Sequence, residues 1–171
     1  GITERIDYDF GTTSHHGIFR TIPTRMRFDD VSDRVFPIED VTVESPTAPS
    51  DVEVSEDDGI TTIRIGDPDV EITGRHTYTL TYRVEGALNG FPDHDELFWN
   101  VTGNGWTFAI EHAAAIIRLP PGARIRQSEA YTGYRGESGG GFRIGTAQGD
   151  QFRAETTRRL APSEGFTVAV A

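Results

Sequence analysis

Thr77-Tyr-Thr-Leu-Thr-Tyr-Arg-Val84 decides the fold class. In an extended chain Tyr78, Leu80, Tyr82 and Val84 fall on one side, and Thr77, Thr79, Thr81 and Arg83 on the other. That period of two marks a strand of an antiparallel sheet with one face on a core and one in water. The same pattern spreads outward from it. Ile6, Tyr8 and Phe10 alternate with polar neighbours, and Met26 and Phe28 alternate with Arg25 and Arg27. Val52-Glu-Val54, a turn over Ser55 to Gly59, and Ile63-Arg-Ile65 predict a hairpin with an acidic tip. Ala113 to Leu119 leads through Pro120-Pro121-Gly122 into Arg124 to Ala130. Phe142-Arg-Ile144, a turn over Thr146 to Asp150, and Phe152 to Glu155 predict another hairpin. No apolar set recurs at helical spacing for three turns, and nineteen glycines and nine prolines punctuate the chain. The expectation is an all-β fold: an antiparallel β-sandwich of about ten short strands, with little or no helix, in preference to a barrel.

At 171 residues the chain is expected to form a single domain over 1–171. The net charge is −11, and all sixteen basic residues are arginine. No basic run exceeds Arg158-Arg159, so nucleic acid is not an expected partner. Cysteine is absent, which excludes disulfides, thiolate metal sites and a cysteine nucleophile. The longest apolar run, Ala113 to Ile117, stops at Arg118, far short of a membrane span. The chain opens at Gly1 without a secretory signal and closes in an apparent strand, Phe166 to Ala171. The expectation is a segment of a longer protein.

One stretch bears on both fold and function: ELFWNVTGNGWTFAI, residues 96 to 110. Leu97, Trp99 and Val101 share a face, as do Trp106, Phe108 and Ile110. Thr102-Gly-Asn-Gly105 supplies a tight reversal. A core hairpin with cross-packed tryptophans is the preferred reading. The functional reading takes Phe98, with Trp99 and Trp106, as an aromatic surface for a sugar or a partner.

Other constellations point to chemistry less directly. Gly136-Glu-Ser-Gly-Gly140 matches a serine-hydrolase elbow in letters, but a strand-like segment follows where a helix is needed. Asp67, Asp69, Asp93 and Asp95 crowd two acidic loops of the kind that hold calcium. Turn caps and arginine pairs explain them equally simply, and that reading is preferred. No cofactor is otherwise implied. The five histidines lack zinc spacing. Arg20, set between apolar residues in GIFRTIP (17 to 23), is expected to pair with a carboxylate of 67–71 or 93–96, and it also stands as a candidate ligand-binding residue.

Three blocks carry a resemblance: GIFRTIP, IRIGDPDVEITGRHTYTLTYRVEGAL (63 to 88) and DELFWNVTGNGWTFAI (95 to 110). They resemble the N-terminal domain of a family of predicted bacterial membrane proteins, domain of unknown function 2207. The resemblance implies an extracytoplasmic β-rich domain, with a signal peptide before it and transmembrane helices after it that are outside this chain. It brings no activity and no catalytic residues. The leading expectation is a non-enzymatic, membrane-tethered module that binds a partner protein or a cell-envelope component. A carbohydrate- or calcium-binding sandwich is the second reading, and a hydrolase using histidine and carboxylates the third.

Overall fold

The computed structural model describes residues 1–27, 31–145 and 150–171. Phe28 and most of the turn expected at Thr146 to Asp150 lie outside the described residues. Fifteen strands and no helix occur among the described residues, and every strand pairing is antiparallel. The count exceeds about ten because several three-residue strands carry too few side chains to show a period. The chain forms two compact units, residues 1–86 and 87–171.

The first unit holds β1 (Ile2–Asp9), β2 (Ile18–Pro23), β3 (Arg25–Arg27), β4 (Asp33–Val35), β5 (Ile38–Glu44), β6 (Val52–Asp57), β7 (Ile60–Ile65) and β8 (Arg75–Val84). One sheet has the order β1-β8-β5, a second β2-β7-β6, and β3 pairs with β4. On β8 the expected face, Tyr78, Leu80 and Tyr82, is buried. Ile18 and Ile22 of β2 and Ile63 and Ile65 of β7 are buried too. Arg20 lies between those isoleucines and crosses to Glu4 of β1, so the two sheets stack as a small sandwich. The β6–β7 hairpin closes on Asp58-Gly59, both at positive φ, a tighter turn than Ser55 to Gly59 because Asp-Gly satisfies a two-residue reversal unaided.

The second unit holds β9 (Leu88–Gly90), β10 (Asp95–Asn100), β11 (Ala114–Arg118), β12 (Ser128–Gly133), β13 (Phe142–Ile144), β14 (Gln151–Thr156) and β15 (Gly165–Val170). Its sheets run β12-β15-β10-β9 and β11-β14-β13. Ala130, Phe166, Val168 and Val170 from the first join Phe152 and Ala154 from the second in one apolar cluster. Ile117, Phe142 and Trp99 pack against it. This too is a two-layered antiparallel sandwich.

The hairpin expected over 96–110 does not form. β10 pairs with β15, placing Trp99 opposite Val168, and on its other side with β9. Residues after Asn100 fold into an irregular loop, and Ile110 makes only an isolated bridge to Leu160. The physical reason is competition for a partner. The C-terminal strand offers β10 a full ladder inside the core, whereas Trp106 to Ile110 offers one beside a loop.

Candidate functional site

Because Trp99 faces the apolar cluster, strand alternation sends Phe98 to the opposite face of the sheet. There it is 45% exposed. Its cross-strand neighbour is Ala169, whose own neighbour on β12 is Glu129. One row along stand Asn100, Thr167 and Tyr131. The Phe98 and Tyr131 rings lie 6.5 Å apart at 38°. The small side chain of Ala169 and the short Thr167 leave these two rings standing above the strands between them. The result is an aromatic pair with a hydroxyl and a carboxylate nearby. Such a surface meets the C–H face of a sugar ring or an apolar side chain, with polar groups at its margin. Tyr131 escaped the sequence reading. Its signal was the alternation Glu129-Ala130-Tyr131-Thr132, with Ala130 and Thr132 buried, just beyond the segment assigned as extended.

The neighbouring candidates are committed elsewhere. Trp99 is half-buried against the cluster. Trp106 is half-buried, and its indole N–H donates to the Thr102 carbonyl at 2.8 Å. Asn100 donates to Asn104 at 2.7 Å and accepts from the Gly103 amide at 2.8 Å. Asn104 in turn donates to the carbonyls of Ser163 and Gly133. The Thr-Gly-Asn-Gly segment thus fastens the end of β10 to the segments flanking β12 and β15.

Arg20 is 1% exposed. Its Nε and Nη2 donate to the two Glu4 carboxylate oxygens at 2.8 and 2.9 Å, and its Nη1 to the Thr21 carbonyl at 2.8 Å. Tyr82 donates its hydroxyl to Glu4 at 2.5 Å. The ion pair expected for Arg20 exists, but its partner is Glu4 rather than a carboxylate of 67–71 or 93–96. Burial works against the guanidinium charge, yet Glu4 and then Tyr82 hold its pKa above the ordinary arginine value. Burial, reinforced by Glu4, raises the Tyr82 phenol.

Among the acidic candidates, Asp67 accepts the Asp69 amide at 2.8 Å, closing its own turn. Asp93 pairs with His94 at 2.8 Å, and its carbonyl accepts from Arg126. Asp95 opens β10 opposite Gly90. No group of three or more histidines, aspartates and glutamates with a metal-holding arrangement occurs among the described residues. Ser138 sits in an exposed turn whose neighbour Gly139 bridges back to Thr132, with no helix behind it.

Open clefts among the described residues include two of several hundred Å³. One, about 370 Å³, is lined by Ser14, His15, His16, Phe19 and Arg64 and contains no carboxylate. The other, about 480 Å³, is lined by Phe108, Arg158, Arg159 and Glu164 and contains no histidine. Glu164 accepts from Arg158 at 2.7 and 2.9 Å and from the Ala161 amide at 2.6 Å. The Arg158 hydrogen bonds, then that amide, draw its pKa down to about 2. A carboxyl ionised so firmly has no proton to give near neutral pH. Neither cleft therefore sets an acid–base pair over a cavity.

A family model described as predicted membrane protein (DUF2207), N-terminal domain, matches residues 1–171. No curated protein and no solved structure matches the chain.

Proposed function

The chain belongs to the DUF2207 family of predicted membrane proteins and spans its N-terminal domain, and from that premise we propose a non-enzymatic, membrane-tethered module that binds a cell-envelope polymer on the extracytoplasmic side. The Phe98–Tyr131 pair on the outer sheet face, Phe98 exposed and Tyr131 half-buried, carries this reading. Supporting it, the ionisable groups with perturbed pKa among the described residues are engaged in arginine–carboxylate, tyrosine–carboxylate or His94–Asp93 contacts, or are buried or half-buried tyrosines, and neither of the two clefts holds an acid–base pair. Among the described residues no helix is long and apolar enough to cross a membrane; in this reading the tether lies in segments outside this chain.

The test is co-sedimentation of the chain with insoluble envelope polysaccharide. Phe98→Ala combined with Tyr131→Ala is expected to weaken binding about tenfold, from roughly 0.5–1.5 kcal/mol per ring, with the melting temperature as a folding control. Unchanged binding by a folded double variant refutes the assignment. A photo-crosslinker at position 98 that captures one protein reproducibly in cells, with no polysaccharide bound, replaces the polymer with a protein partner.

A further inference from the structure

The sheet β11-β14-β13 lays one face on the core and leaves the other in water. On the outer face the register sets Arg118 opposite Gln151, Arg153 opposite Ile116, and Arg143 opposite Glu155. Strands lie about 4.8 Å apart, and same-face residues are about 6.7 Å apart along a strand. The three arginines therefore step diagonally across all three strands, their Cα atoms spaced by about 8 Å. Arg143 is engaged with Glu155, which also meets His112 at 3.2 Å. Arg118 and Arg153 have no ion-pair partner among the described residues. Ile116 beside Arg153 is 43% exposed. Asp150 stands at the start of β14, and Glu155 is the carboxylate within this face.

This face stands out against the charge of the chain. Residues 1–86 carry eighteen carboxylates against eight arginines, a net −10, while residues 87–171 carry nine against eight, a net −1. Unpaired cations thus collect on one sheet face of the nearly neutral unit. We propose that the Arg118–Arg153–Arg143 face is a contact surface for anionic lipid headgroups of the bilayer that carries the rest of the protein. Guanidinium groups meet phosphate bidentately, and an exposed isoleucine among them enters the headgroup layer. The opposing sheet of the sandwich is about 10 Å away. At physiological salt that exceeds the screening length of about 8 Å, so the carboxylates Glu96 and Glu129 there repel the bilayer weakly.

Flotation of the chain with phosphatidylcholine vesicles containing roughly a third phosphatidylglycerol, compared with phosphatidylcholine alone, tests this. Binding is expected only to the anionic vesicles and is lost at high salt. Arg118→Gln with Arg153→Gln lowers the partition coefficient by about 25-fold, at about fivefold per arginine. Arg118→Lys with Arg153→Lys keeps the share of binding carried by charge and loses the bidentate share, so it binds between the parent and the glutamine variant. Arg135→Gln, an exposed arginine in the turn after β12, serves as the charge control and changes binding less than twofold. Absence of anionic-vesicle binding, an equal loss in the Arg135 variant, or binding to a soluble phosphodiester polymer with none to vesicles overturns the proposal.

Discussion

Arg20 on β2 and Glu4 on β1 form a two-pronged ion pair, at 2.8 and 2.9 Å, inside the sandwich of residues 1–86. It occupies a position that Ile18 and Ile22 on either side fill with aliphatic carbon. Taking both charges out of water is costly, and only their mutual geometry, with the Tyr82 hydroxyl and the Thr21 carbonyl, offsets it. Arg20→Ala leaves the largely enclosed Glu4 carboxylate without its cation and is expected to destabilise by up to about 3–5 kcal/mol. Arg20→Met combined with Glu4→Met removes both charges and recovers most of that loss. Urea denaturation of the two variants checks the pair. Equal stability of Arg20→Ala and the parent would refute a buried bridge.

Gly17 and Gly66 oppose each other where β2 begins and β7 has just ended. A Cβ on Gly17 falls 1.9 Å from the Ile65 carbonyl oxygen, and one on Gly66 falls 2.0 Å from the His16 oxygen. Both neighbours are backbone, and the φ angles of +139° and +132° already lie where side chains are disfavoured. Gly17→Ala and Gly66→Ala are each expected to destabilise by more than about 1 kcal/mol. By contrast Gly122→Ala, at φ +89° but with open space around it, meets only the backbone penalty. A denaturation series showing the same loss at all three positions would remove the close-approach argument.

The sequence made some of this architecture readable and concealed the rest for definable reasons. Strand β8 was legible because its ten residues alternate long enough to show a period, and the β6–β7 hairpin because Asp58-Gly59 encodes its own turn. The pairing of β10 was not. Asn104-Gly105 looks like a hairpin signal, yet Asn104 spends its amide on Ser163 and Gly133, and the strand that wins β10 lies far downstream, at Gly165–Val170. Local turn chemistry cannot report such a partner. Glu4 was hidden among polar residues, although parity with Ile6 and Tyr8 puts it on the inner face of β1. Phe98 was visible as the odd member of its strand. Tyr131 became part of the site only when β15 brought β12 alongside.

Acid should loosen the second unit through Glu164. Its pKa is drawn from an ordinary 4.5 down to about 2 by Arg158 and then by the Ala161 amide. A carboxyl whose folded pKa is depressed binds protons more readily when unfolded. Its contribution is therefore complete above about pH 4.5 and is lost as pH falls toward 2. Asp7, Asp9, Asp93 and Glu155 are also lowered, by Arg5, Arg75, His94 and Arg143 respectively, so the parent loses stability through several groups together. Glu164→Gln removes one share of that slope. It is expected to be about 1–3 kcal/mol less stable at pH 7 and closer to the parent near pH 2. Parallel melting curves for parent and variant across that range would contradict the assignment.

Tyr78 and Tyr82 stand two residues apart on the same buried face of β8, and their hydroxyls have opposite circumstances. The Tyr82 hydroxyl donates to Glu4 at 2.5 Å. The Tyr78 hydroxyl is buried and has no hydrogen-bond partner among the described residues. A hydroxyl taken from water without a partner forfeits its hydration and gains nothing in exchange. Removing it therefore relieves a cost, whereas removing the Tyr82 hydroxyl takes a donor from the part-buried Glu4 carboxylate. Tyr78→Phe is expected to be neutral or to stabilise by about 1 kcal/mol. Tyr82→Phe is expected to destabilise by about 1.5–3 kcal/mol, the range for a hydrogen bond to a charged group. Both rings keep their packing, so the comparison isolates the two oxygens. Thermal denaturation of the pair at neutral pH measures it, and a Tyr78→Phe protein that melts well below the parent would show that its hydroxyl is bonded after all.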